Sequence, residues 1–161
     1  MSTAIQPDPK FMRIAIDLAT QNVVSGRGGP FGAVVVKNGE VISAESNSVT
    51  RTNDPTAHAE VNAIRAACTA LQSFQLDGCD VYTSCEPCPM CLAALYWSRC
   101  RAIFYGNTKA DAASVGFDDK FLYDEVKRPL EERQIPFHRL LPDEAIASFQ
   151  AWTKSNERID Y

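Results

Sequence analysis

The nine residues TSCEPCPMC, positions 83–91, constrain the fold more than any other stretch of the chain. They follow a β-prone run, DVYTS at 80–84, and lead into an apolar one, CLAALYW at 91–97. Proline has no backbone N–H and is tolerated in a helix only at its first turn. Pro87 and Pro89 therefore mark the passage from a short strand into a helix running CPMCLAALYWSR. Cys85, Cys88 and Cys91 crowd that passage. Helical residues three apart project from nearly the same side, so Cys88 and Cys91 can converge on one ion, with Leu92 and Leu95 continuing their face.

The flanking sequence supplies the rest of an α/β pattern. In PDPKFMRIAIDLATQNVVSG, residues 7–26, Phe11, Ile14, Ala15, Leu18 and Ala19 recur at steps of three and four, which predicts a helix with one buried face, stopped at Gly26. GAVVVKNGEVISA, 32–44, predicts a hairpin: β-branched residues flank Asn38-Gly39, a pair that tolerates the positive φ of a two-residue turn. NDPTAHAEVNAIRAACTAL, 53–71, predicts a helix capped by Asp54 with Pro55 at its first position, burying Val61, Ile64, Cys68 and Leu71. RAIFYG, 101–106, reads as a further core strand, and IPFHRLL, 135–141, as an edge strand with His138 half-buried in it. DEAIASFQAWTKS, 143–155, reads as a closing helix, while 107–133 carries no clear periodicity. Alternating helices and strands predict helices on both faces of a mixed sheet.

The chain has 161 residues, 45% of them hydrophobic, enough for one domain with a real core over 1–161. The opening MSTAIQPDPK shows no basic start followed by an apolar run, and no apolar run approaches the length of a membrane span, so a soluble, cytoplasmic chain is expected. A formal net charge of -4 argues against a protein that binds by neutralising phosphates, and favours a small ligand over nucleic acid.

Three of the six cysteines lie within seven residues, which suits metal-binding thiols better than a disulfide framework. His58, one of only two histidines, opens a different helix as HAE, so two helix starts can meet at one metal. Two sulfurs and one imidazole make the three-donor set of a catalytic zinc rather than the closed set of a structural one. Helix N-termini lower thiol pKa values and favour thiolate. Glu60 lies two residues beyond His58, where a carboxylate can act as a proton shuttle. Alternatives remain at this level: a redox-active or merely buried CxxC, Cys85 as a fourth, closing ligand, or a cluster-binding C-x2-C-x2-C run. The last lacks its fourth cysteine, because Cys100 lies about 13 Å further along the helix. Cys68 and Cys79 read as core packing.

HAE at 58–60 with PCPMC at 87–91 matches the H-x-E and P-C-x-x-C signature of the cytidine deaminase-like zinc hydrolases. Through GGPFGAVVVKNG, NDPTAHAEV, YTSCEPCPMC, YW, GFDD and the terminal tyrosine, the chain most resembles the bacterial guanine deaminases of that family. The resemblance implies a three-layer α/β/α sandwich with a central mixed β-sheet. It also implies a homodimer with exchanged C-terminal segments, each tail closing the partner's active site, and one Zn2+ per subunit held by His58, Cys88 and Cys91. Glu60 would shuttle protons, while Phe31 and Trp97 hold the ring of the base. Asn47 and the backbone N–H of Ala59 would contact the substrate, Asp119 and Tyr161 would complete a guanine pocket, and Asp119 would count among the catalytic groups. The implied reaction is guanine to xanthine and ammonia, a step of purine catabolism. A tRNA adenosine deaminase, a cytosine or cytidine deaminase, and a non-catalytic zinc-stabilised interaction module are the competing readings.

Overall fold

The computed structural model describes residues 6–161. Asn38 and Gly39 both adopt positive φ, 52° and 82°, and close the hairpin between β1 (Gly32–Lys37) and β2 (Glu40–Ser46). An irregularity between Val35 and Val36 shifts the register of this pair. On its other side β1 pairs antiparallel with β3 (Cys79–Cys85), and β3 pairs parallel with β4 (Ala102–Asn107). The sheet is therefore mixed, in the order β2-β1-β3-β4.

Alternation along the strands feeds two cores, and this makes three layers. Ala33, Val35 and Val81 face the helix α3 (Ala59–Leu71), burying its Ala59, Ala63 and Ala67 together with Leu95 of α4 (Pro89–Trp97). Val34, Val36 and Tyr82 face the opposite way, onto Phe11 and Ala15 of α1 (Pro9–Val24). Asp8 caps α1 by accepting from the Lys10 N–H at 2.9 Å, and Gly26 ends it at φ 67°. Helix and sheet approach closely at Gly32: a Cβ there would collide with the Ala15 carbonyl oxygen and lie 2.8 Å from Leu18 Cβ. The strand β3, buried along its whole length, runs down the middle of this arrangement and ends at Cys85.

Three local expectations are corrected. Asp54 and Pro55 do not open α3. A short helix, α2 (Val49–Thr52), and the left-handed Asn53 precede a turn in which Asp54 Oδ1 accepts from the Thr56 N–H and hydroxyl, at 2.8 and 2.7 Å. The Asx-turn consumes the carboxylate that was expected to cap the helix, and His58 becomes the N-cap. Cys88 likewise stands at the N-cap of α4 with Cys91 three residues inside, so the pair spans a helix boundary. Finally, IPFHRLL forms no strand among the described residues, and His138 is exposed. Pro136 removes a ladder donor there, and among the described residues the sheet has four strands.

Residues 107–133, silent by periodicity, carry a capping box: Thr108 accepts from the Asp111 N–H at 3.3 Å while Asp111 accepts from the Thr108 N–H at 2.8 Å, opening α5 (Lys109–Ser114). The chain divides into two compact units, Met1–Asp119 and Lys120–Tyr161. The second comprises α6 (Lys120–Lys127), a 3-10 turn (Leu130–Glu132) and α7 (Pro142–Lys154), the last as expected for the closing helix.

Candidate active site and metal centre

The starts of α3 and α4 meet. His58 and Cys88 are the N-caps of the two helices, and Cys91 is in the first turn of the second. His58 Nδ1 lies 3.6 Å from Cys88 Sγ and 3.4 Å from Cys91 Sγ. The donor atoms of all three lie within 4.8 Å of one another, and they form the one such His/Cys/acid group found among the described residues. At the tetrahedral angle, bonds of ~2.05 Å to nitrogen and ~2.3 Å to sulfur put N and S about 3.6 Å apart, so the side chains present fit a zinc ion.

The electrostatics agree. Cys88 is held far below the usual thiol range, at about 4, first by its hydrogen bond with Cys91 and also by His58. Cys91 is pushed up in turn, because the adjacent Cys88 anion keeps its proton in place. The hydrogen bond to Cys88 raises His58. A cation among these groups replaces the protons they share, since thiolate and neutral imidazole are the metal-binding forms. Cys85 stands outside the cluster: it is buried, its Sγ lies 3.7 Å from the Thr108 carbonyl oxygen, and burial pushes its thiol up to about 11.

Glu60, in the first turn of α3, is only 5% exposed. Burial raises its carboxyl above the ordinary carboxylate range. One carboxyl oxygen accepts from the Cys91 thiol at 3.4 Å, the other from the Thr83 hydroxyl at 3.2 Å. Thr83, on β3, is a contact that the sequence did not announce. Ala59 is fully buried at the first position of α3, where a backbone N–H has no acceptor within its own helix.

The other residues named from the sequence are placed as follows. The Asn47 N–H donates to the Phe31 carbonyl at 3.0 Å, so both come from adjoining backbone. The Phe31 ring meets Phe117 edge-on, with centroids 4.9 Å apart and planes at 88°. Asp119 is half-buried, and its carboxyl is raised first by burial and then by the charge of Cys88. Trp97, by contrast, ends α4 and is 62% exposed. Nine residues separate it from Cys88, about 13 Å of helix axis. Tyr161 belongs to the second unit and is 70% exposed.

Residues 5–107 match the profile described as the cytidine and deoxycytidylate deaminase zinc-binding region. The chain belongs to this zinc-binding deaminase family. Among its relatives, guanine deaminase of Bacillus subtilis (strain 168) is 53% identical over 151 residues, covering 94% of this chain and 97% of that protein. The X-ray structure of Bacillus subtilis guanine deaminase superimposes with a TM-score of 0.94 at 51% identity, covering 97% of this chain and 99% of the other. The tRNA-specific adenosine deaminase of Aquifex aeolicus is 43% identical over 95 residues, 59% of this chain and 62% of that protein. The α/β/α sandwich with its mixed sheet is thus the deaminase fold, and the histidine and two cysteines are donors suited to the zinc that names the family.

Proposed function

We propose that the chain is a zinc-dependent aminohydrolase that converts guanine and water to xanthine and ammonia. The observation that carries this reading is the extent of the likeness to guanine deaminase, 94% of the chain. The likeness to the Aquifex aeolicus tRNA deaminase covers only 59% of it. The zinc-binding region, residues 5–107, supports deamination in general, and the likeness to guanine deaminase that extends beyond it supports the substrate. A net charge of -4 also favours a free base over tRNA.

His58, Cys88 and Cys91 would hold the ion. When bound, zinc supplies Lewis acidity that makes water nucleophilic near neutral pH. Glu60 accepts a proton from the attacking water and passes it to the ring nitrogen beside the amino-bearing carbon, then takes the second proton from the hydroxyl now on that carbon and delivers it to the departing amine as the carbonyl forms. Thr83 keeps that carboxyl from swinging away. Phe31 offers the base an aromatic wall, Asn47 and the Ala59 N–H offer polar contacts to its edge, and Asp119 approaches the same centre. Ammonia release from guanine, measured against adenine, cytosine, cytidine and a tRNA anticodon stem-loop, tests the assignment. Guanine is expected to be turned over at least tenfold faster than any other, and preferred turnover of one of the others would replace guanine as the substrate.

The protein further works as a cytoplasmic homodimer that exchanges its C-terminal segments. Among the described residues, no helix is long and apolar enough to cross a membrane. Ile135, Leu140 and Phe149 of the second unit are exposed in the single chain, an apolar surface of the kind that a partner covers. Trp97, remote from its own Cys88, and Tyr161 then serve the pocket of the other subunit. Removal of residues 158–161 is expected to leave zinc content and dimer intact and to lower guanine turnover at least tenfold. Co-expressing that truncated chain with full-length Glu60→Gln restores activity in mixed dimers, because one site then has both an intact glutamate and a partner's tail. Full activity of the truncated chain alone, or no rescue, would exclude the exchange.

A further inference from the structure

Asn22 lies near the C-terminal end of α1 and is only 4% exposed. Its Nδ2 donates to two backbone carbonyls from different segments, Gly29 at 2.8 Å and Asn47 at 2.8 Å. Its Oδ1 accepts from the Ser46 hydroxyl at 3.2 Å, and its own carbonyl accepts from the N–H groups of Arg27 and Gly28 at 2.9 and 3.3 Å. One side chain thus joins the loop leading to Phe31 with the strand end that carries Asn47. Gly28 permits the approach: a Cβ there would lie 2.7 Å from the Asn47 carbonyl oxygen and 2.8 Å from Asn22 Nδ2.

We infer that Asn22 is a positioning residue of the base pocket, setting the spacing between the Phe31 wall and the Asn47 edge contact. The inference rests on the assignment of Phe31 and Asn47 to the base in the proposed function. Both amide protons are committed to carbonyls, so the function belongs to the amide and not to its size. A carboxylate of the same shape offers no donor and turns its charge on two carbonyl oxygens. The backbone bond from the Asn47 N–H to the Phe31 carbonyl holds the strand ends together, but the Gly29 loop loses its tie to the Asn47 carbonyl, and the Phe31 ring shifts against the Asn47 side chain while His58, Cys88, Cys91 and Glu60 stay in place.

The test is the kinetics of Asn22→Asp and Gly28→Ala, with zinc content measured on each. Both are expected to raise KM for guanine about ten- to a hundredfold, the effect of one or two disrupted buried hydrogen bonds, with kcat within threefold and one zinc per chain. Asn47→Ala is expected to raise KM as well, and adding Asn22→Asp to it should change KM less than twofold, because the two act through one contact. A merely structural asparagine would lower zinc content and kcat together, or would add its full effect in the double variant. Either result, or an unchanged KM in Asn22→Asp, overturns the inference, and if that variant does not fold an unchanged KM in Gly28→Ala does so. If the wild-type chain deaminates another base in place of guanine, the substrate assignment fails, and the same KM comparison made with that base still decides the role of Asn22.

Discussion

Replacing Glu60 with glutamine is expected to lower kcat for deamination by about 10²- to 10⁴-fold while zinc content stays at that of the wild-type chain. Glutamine keeps the length of the side chain and an oxygen for the Thr83 hydroxyl, which donates to Glu60 at 3.2 Å, so the buried start of α3 retains its packing. What an amide lacks is the ability to accept and release a proton, which the reaction requires twice in one cycle. Because His58, Cys88 and Cys91 form a cluster that does not include Glu60, the loss is one of chemistry and not of metal. Steady-state kinetics beside metal analysis separates the two. A zinc-loaded Glu60→Gln chain with kcat within threefold of wild type would remove Glu60 from proton transfer.

The second large effect falls on the metal. Cys88→Ala and Cys91→Ala each delete one of three donors and are expected to lose zinc on dialysis. The drop in affinity should exceed the roughly 10- to 100-fold that follows loss of a group that only orients a ligand. Cys85→Ser is expected to keep its zinc. Its sulfur faces the Thr108 carbonyl at 3.7 Å and stands outside the His58, Cys88 and Cys91 cluster. Zinc retained by Cys91→Ala, or lost from Cys85→Ser, would mean that the donors are wrongly assigned among the three sulfurs.

Legibility in the sequence followed the range of the interactions. The hairpin at Asn38-Gly39 could be read directly, because positive φ at two successive residues is a local demand that few residue pairs meet. The two-part metal signature was legible for a similar reason: each half lies in one helix start, and only their meeting is tertiary. The start of α3 is not legible because Asp54 can cap either a helix or a turn, and hydrogen bonds to Thr56 decide for the turn. IPFHRLL has the composition of a strand, yet a strand exists only when paired, and sequence composition does not contain the partner. Asn22 and Thr83 escaped notice for a different reason. Their contacts, 25 residues on at Asn47 and 23 residues back at Glu60, leave no periodicity to detect.

The close seating of α1 at Gly32 reaches beyond stability. Ala15, Leu18 and Asn22 ride on the same helix, so the depth at which that helix rests on the sheet also fixes how far the Asn22 amide extends toward Gly29 and Asn47. If Asn22 positions the base pocket as inferred, choice among bases is tied to the volume of interior residues that never meet a ligand. Divergent members of such a lineage could acquire new preferences through altered helix seating, with every group that touches the base still unchanged.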